Sequence, residues 1–193
     1  MQGMQGISKL RLYNRLYNRL IAQFKTWRLA IGQCDLCHNY NTVQPLLCQY
    51  CLADLAVFSY PVAGSNLLHW PIVNQLFPRR YFDQLYCFSP YIWPMDLWLK
   101  QLKYHNRFEL AMMLAHLIKS LWIERIVPLL GDNYTLTAVP IHPRQWQQRG
   151  YNQAHLIARQ LSKCVSAHYQ SDLLIRRKFT SSQVGQTLSL IHI

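Results

Sequence analysis

Four of the six cysteines stand in two pairs of identical spacing, Cys34-x-x-Cys37 and Cys48-x-x-Cys51. A C-x-x-C turn is a tight knuckle that presents two thiolates to one ion, and two knuckles complete a tetrahedral four-cysteine zinc site. All four positions would be filled by protein sulfur, which leaves no place for a reactive water, so such a zinc is structural. His38, next to Cys37, is a substitute ligand in principle. The competing reading is disulfides or unliganded thiols. Cys87 and Cys164 are isolated in apolar segments and are expected in the core.

A second chemistry-bearing stretch is His142-Pro-Arg144-Gln-Trp-Gln-Gln-Arg149-Gly150-Tyr-Asn152-Gln153, which follows the β-rich run Tyr134 to Ile141. A loop leaving a strand and entering a helix is where α/β proteins bind anions, because the helix start offers unpaired N–H groups and a positive dipole end. Arg144 and Arg149 would supply charge and paired donors, Gly150 close backbone approach, and Asn152 a helix cap. A plain solvated basic loop is the alternative. A third stretch runs from Arg176 through Lys178 and Thr180 to Gln183. It lacks apolar periodicity and is expected as an exposed, mobile loop, suited to phosphate or nucleic acid, or merely solvated.

These sites need elements to hold them. Leu12, Leu16, Leu20, Phe24 and Trp27 recur at helical steps, so residues 1–33 read as a basic amphipathic helix: a packing helix with a solvated basic edge, or a polyanion- or membrane-binding one. Residues 34–60 form the cysteine module and 61–83 a connection containing Pro61, Gly64 and Pro78. Residues 84–93 suggest a strand; helices follow from Pro94, over roughly 107–126, and from Asn152 to Lys163; Asp172 to Ile175 suggests another strand. Strand, loop, helix, strand is the βαβ pattern of a parallel α/β sheet.

The chain carries 20 Lys+Arg against 8 Asp+Glu, a formal charge of +12. The excess is terminal: residues 1–33 hold six basic and no acidic residues, and 137–193 hold seven basic residues against Asp172 alone. That balance invites a polyanion reading: nucleic acid, acidic lipid or a phosphorylated small molecule. With 51% hydrophobic residues, bulk disorder is excluded. No run reaches the length of a membrane span and no continuous apolar leader is present, so a reducing, cytoplasmic setting is expected.

Taken in order, the two knuckles, Leu102-Lys103-Tyr104-His105-Asn106-Arg107, Ala138-Val139-Pro140-Ile141-His142, Arg149-Gly150-Tyr151-Asn152-Gln153-Ala154 and the Arg176 to Ser189 segment resemble the ComF/GntX family over residues 34–189. That family consists of competence-associated, phosphoribosyltransferase-like proteins. The resemblance implies a small four-cysteine zinc ribbon followed by a type I phosphoribosyltransferase-like parallel sheet with flanking helices, over residues 84–193. It implies that the Arg144–Gly150 loop meets the pyrophosphate of phosphoribosyl pyrophosphate, with Mg2+, and that the stretch starting near Arg176 is the flexible loop over the site. It also implies a part in the uptake or use of external DNA, beside the DNA-uptake machinery. Family members continue to an acidic D-D-V-x-T-T-G motif that cradles the ribose phosphate, and this chain has none before Ile193. The expectation is an incomplete sheet and a catalytically incomplete chain, whether from a truncated gene product or an incomplete sequence; no catalytic residue is assigned. The alternatives are a non-enzymatic zinc-ribbon protein binding single-stranded DNA, and a zinc-stabilised interaction module without chemistry.

Overall fold

The computed structural model describes residues 32–40, 42–55, 66–121, 126 and 134–179. The expected basic helix of residues 1–33, apart from its last two positions, lies outside them, as do Thr180 and Gln183. The described residues form a mixed, mainly helical structure with two small sheets. In order they are β1 (Thr42–Gln44), β2 (Leu47–Cys48), α1 (Gln49–Ala53), a 3-10 turn (Leu67–His69), α2 (Pro71–Gln75), α3 (Met95–Tyr104), α4 (Glu109–Leu121), β3 (Thr135–Leu136), α5 (Pro143–Arg149), α6 (Gln153–Cys164) and β4 (His168–Tyr169). No helix among the described residues is long and apolar enough to cross a membrane.

Helix α4 is the central wall. Leu110, Ala111, Met113, Leu114 and Leu117 bury into one cluster with Met95, Trp98 and Leu102 of α3 and with Cys34, Leu46, Leu47, Cys48 and Leu55 of the cysteine module. Ala115 and Ile118, on the other side, join Leu136 of β3 and Leu161 of α6 in a second cluster. A helix apolar around most of its circumference has to be covered on both sides, and here the cysteine module covers one side and the β3–α6–β4 unit the other. Trp98 and Leu102 are fully buried, at 0% exposure. Burying such side chains contributes about 1.5–3 kcal/mol each, so the module shares its core with the helices.

Strands β1 and β2 pair antiparallel, whereas β3 and β4 pair in parallel, Thr135 with His168 and Leu136 with Tyr169, with α5 and α6 in the connection. The βαβ expectation therefore survives as a pairing two residues long on each side. A larger parallel sheet is absent among the described residues. The strand expected over 84–93 does not form, because its hydrogen-bonding groups are taken. Leu85 gives its N–H to the Asn66 side chain at 3.0 Å, and its carbonyl accepts from Leu67 N at 2.8 Å. Pro90 removes a further donor. The strand expected at Asp172–Ile175 is also absent, and Leu173, Leu174 and Ile175 are exposed. Pairing occurs upstream instead, where Val165, Ala167 and Tyr169 can pack on the second cluster and Gln170 N reaches Leu136 O at 2.9 Å. β-branched and apolar character favours a strand only where a neighbour and a core are available.

Candidate metal centre and basic turn

The cysteine site is built by backbone geometry. In the first knuckle Cys34 N donates to Asn39 O at 2.7 Å and His38 N to Cys34 O at 2.9 Å, and His38 adopts φ 60° to close the turn. The second knuckle turns at Leu46, φ 65°, so that β2 delivers Cys48 to the start of α1. Cys48 caps that helix, its Sγ accepting from Cys51 N at 3.5 Å. The sulfurs of Cys34, Cys37, Cys48 and Cys51 all lie within 4.8 Å of one another, with Cys37 and Cys48 3.6 Å apart. Metal–sulfur bonds of about 2.3 Å in a tetrahedron put sulfurs about 3.8 Å apart, so the cluster fits a zinc-like ion. The 3.6 Å separation also excludes a disulfide between that pair.

Cys34 ionises more readily than an ordinary thiol. Burial works against its charge, but the backbone N–H groups of Cys37, Cys48 and Leu36 outweigh it and lower its pKa to about 7. Burial and the neighbouring thiols drive Cys51 strongly upward. One thiolate therefore opposes the next, which is the situation a divalent cation relieves.

Asp35, inside the first knuckle, was not singled out by its sequence position. Its carboxylate accepts from Trp98 Nε1 at 2.8 Å and from Arg107 Nη2 at 2.5 Å and Nη1 at 3.3 Å. Arg107 also donates to Glu109 at 2.9 Å and to Gln101 at 2.8 Å. Burial disfavours the guanidinium charge, yet Asp35 and Glu109 prevail and raise its pKa. No local sequence pattern marks this pair, whose members stand 72 positions apart.

The expected phosphate loop at Arg144–Gly150 is a helix, α5. Pro143 sits at its first turn with its φ preset, His142 Nδ1 accepts from Arg144 N at 3.2 Å, and Gly150 ends it at φ 76°. Proline at the start and glycine at the end is the helix signature that charge-based reading passed over. Arg144 and Arg149 project from α5 onto aromatic faces: Arg149 lies 5.5 Å from the Tyr104 ring centre and Arg144 5.4 Å from that of Phe179. His142 meets Phe179 edge-on at 5.2 Å. The Arg144 and Arg176–Lys178 stretches are thus joined through Phe179; Arg177 and Lys178 are exposed and Arg176 is half-buried.

Asn152 does cap α6, its Oδ1 accepting from Ala154 N at 3.0 Å. Its Nδ2 also donates to Val139 O at 2.9 Å, tying the chain after β3 to the helix start. Tyr151 is buried, packs edge-on against Phe108 at 4.8 Å, and donates its hydroxyl to Leu102 O. The Gly150-Tyr151-Asn152 run therefore serves as a structural joint. Cys87 and Cys164 are half-buried rather than in the core.

Curated relatives align with most of the chain. It is 27% identical over 161 residues to DNA utilization protein YhgH of Escherichia coli O157:H7, covering 80% of this chain and 66% of that protein. It is 28% identical over 152 residues to Competence protein F of Haemophilus influenzae, covering 76% and 66%. A Salmonella typhi protein named DNA utilization protein YhgH is 30% identical over 155 residues, covering 79% and 63%. The chain thus spans just under two thirds of the length of these relatives. No family model and no solved structure matches it.

Proposed function

This chain belongs to the ComF family, and from that premise we propose that it takes part in the uptake or use of external DNA, alongside a DNA-uptake machinery and in the cytoplasm. The observation that carries the proposal is that relatives named Competence protein F and DNA utilization protein YhgH align with about four fifths of its length.

The finer reading is a structural zinc ribbon at residues 34–60 and a phosphoribosyltransferase-like domain from residue 84. The parallel pairing of β3 and β4 around α6 supports it, as does the tie from Asn152 to Val139, which brings the strand end to the helix start. In that reading Arg144 and Arg149 meet a diphosphate, and Arg176 and Lys178, with Thr180 and Gln183, belong to a loop over it. Residues 137–159 contain no carboxylate, so this stretch would offer a Mg2+ no acidic ligand; no catalytic step is assigned. Calorimetric titration with phosphoribosyl pyrophosphate and Mg2+ tests this. Saturable binding lost in Arg149→Gln is expected, and no heat at millimolar ligand would sink it.

A second reading, non-enzymatic binding of single-stranded DNA, is favoured by cations laid against exposed rings. Lys103 and Arg149 flank Tyr104, which is 51% exposed, and Arg144 flanks Phe179, 48% exposed. Rings and guanidinium groups together suit base stacking and phosphate contact. Fluorescence anisotropy with a labelled oligonucleotide should then show log affinity falling linearly with log salt. A flat dependence would remove this reading.

A further inference from the structure

We propose that the Asp35–Arg107 clamp and the Tyr151 hydroxyl couple the metal centre to the first turn of α6, so that holding the metal and ordering the basic turn support each other. The proposal rests on the reading of the four cysteines as a metal site.

The contacts run without a gap. Asp35 is flanked in sequence by Cys34 and lies within the Cys34–Cys37 knuckle, and its own N–H donates to Leu46 O at 2.8 Å in the second turn. Both knuckles therefore move with it. Its carboxylate grips Trp98 of α3 and Arg107 in the corner between α3 and α4, each with a side chain largely out of water. The same corner contains the carboxyl end of α3, whose last carbonyls lack helical partners. Arg107, through Gln101, and Phe108, next in sequence, fix that corner from one side. From the other side Tyr151 supplies what the helix lacks: its hydroxyl donates to Leu102 O and its ring packs on Phe108. One residue later Asn152 holds both Val139 and the first turn of α6.

Without metal, four sulfurs within 4.8 Å of one another have nothing to hold them together and the first knuckle loses its constraint. Asp35 would then sample other positions, Arg107 would lose its principal acceptor, and the corner that Tyr151 caps would loosen. Linkage is reciprocal, so loosening the Tyr151 cap must weaken the hold on the metal. That reverse effect is the discriminating one, because Tyr151 is remote in sequence from all four sulfurs and offers them no ligand.

The test is the rate at which the zinc-loaded full chain releases zinc to a chromogenic chelator. Tyr151→Phe keeps the ring and its contact with Phe108 and deletes only the hydroxyl. Release is expected to accelerate about fivefold or more in Arg107→Gln and in Tyr151→Phe, the range of ordinary site-to-site coupling. Lys163→Gln, exposed near the end of α6, should release at the wild-type rate. Hydrogen exchange at the Ala154 and Leu156 amides should rise when zinc is stripped. Wild-type release from Tyr151→Phe overturns the coupling, as does equal acceleration in Lys163→Gln. If Arg107→Gln does not fold, Tyr151→Phe decides alone. A chain that binds no zinc overturns the metal reading and the coupling together, whereas bound zinc indifferent to Tyr151→Phe overturns the coupling only.

Discussion

The cysteine module and the basic turn hold their functional side chains in opposite ways. In the module, the sulfurs are placed by backbone turns, with Cys34 and Cys48 buried against α3 and α4, Cys51 half-buried and Cys37 exposed, and the first knuckle is backed by an ion pair largely withdrawn from water. In the turn, the arginines reach outward and rest on half-exposed rings, while the buried residues, Tyr151 and Asn152, brace the backbone. The converging thiols are thus anchored to the core, and the arginines are left at the surface. Substitutions should separate the two regions by the size and kind of their effects.

The largest effect is expected from Cys48→Ser. Structural zinc contributes on the order of 10 kcal/mol of apparent binding free energy to small modules, comparable to the whole stability of a domain. Loss of bound zinc and of a cooperative melting transition should follow, read by metal analysis and calorimetry. A full, unshifted transition would show that the module does not support the helices. Next is Arg107→Gln, which leaves Asp35 largely buried without its main cation and should cost about 3 kcal/mol in urea denaturation.

Asn152→Ala removes a helix cap and the tie to Val139 at once, for about 1–2 kcal/mol. A loss as large as that of Arg107→Gln would mean that the turn, too, is a load-carrying part of the core. His155 gives a smaller, pH-dependent effect. Burial and then the nearby Arg159 lower its pKa, and its ring accepts or shares a hydrogen bond with the Tyr169 hydroxyl at 2.7 Å. A lowered folded-state pKa means that the unfolded chain binds the proton more readily. Stability should therefore fall as pH drops below the ordinary histidine value of about 6.5 and level off below the folded one. The melting temperature of His155→Gln should show a shallower decline over that window. Smallest in stability is the pair Arg144→Gln with Arg149→Gln, expected within about 0.5 kcal/mol of wild type; if this turn binds single strands, the slope of log affinity against log salt should fall by about two.

Legibility followed the same divide. Cys34, Cys37, Cys48 and Cys51 could be read from spacing because a C-x-x-C knuckle has few conformations, and the sulfurs converge as that geometry requires. Helices α3, α4 and α6 were visible in their apolar periodicity, since each buries a face against a long neighbour. The short strands were not, because whether Leu85 or Leu173 enters a ladder depends on what stands beside it. Leu85 commits its backbone groups to Asn66 and Leu67, a contact that no local pattern announces. The Arg144 to Arg149 stretch was read by its charge, although Pro143 and Gly150 already spelled a short helix. Asp35 and Arg107 stayed hidden because an ion pair 72 positions apart in sequence is a property of the folded chain.

Metal content and thiol accessibility of the native full chain form the most direct measurement. One zinc per chain is expected, with Cys34, Cys37, Cys48 and Cys51 unreactive toward a thiol reagent until a chelator removes the ion, and with cooperative melting lost on its removal. A chain free of zinc, with those four thiols reactive at once and its melting indifferent to chelator, would contradict a metal-centred core.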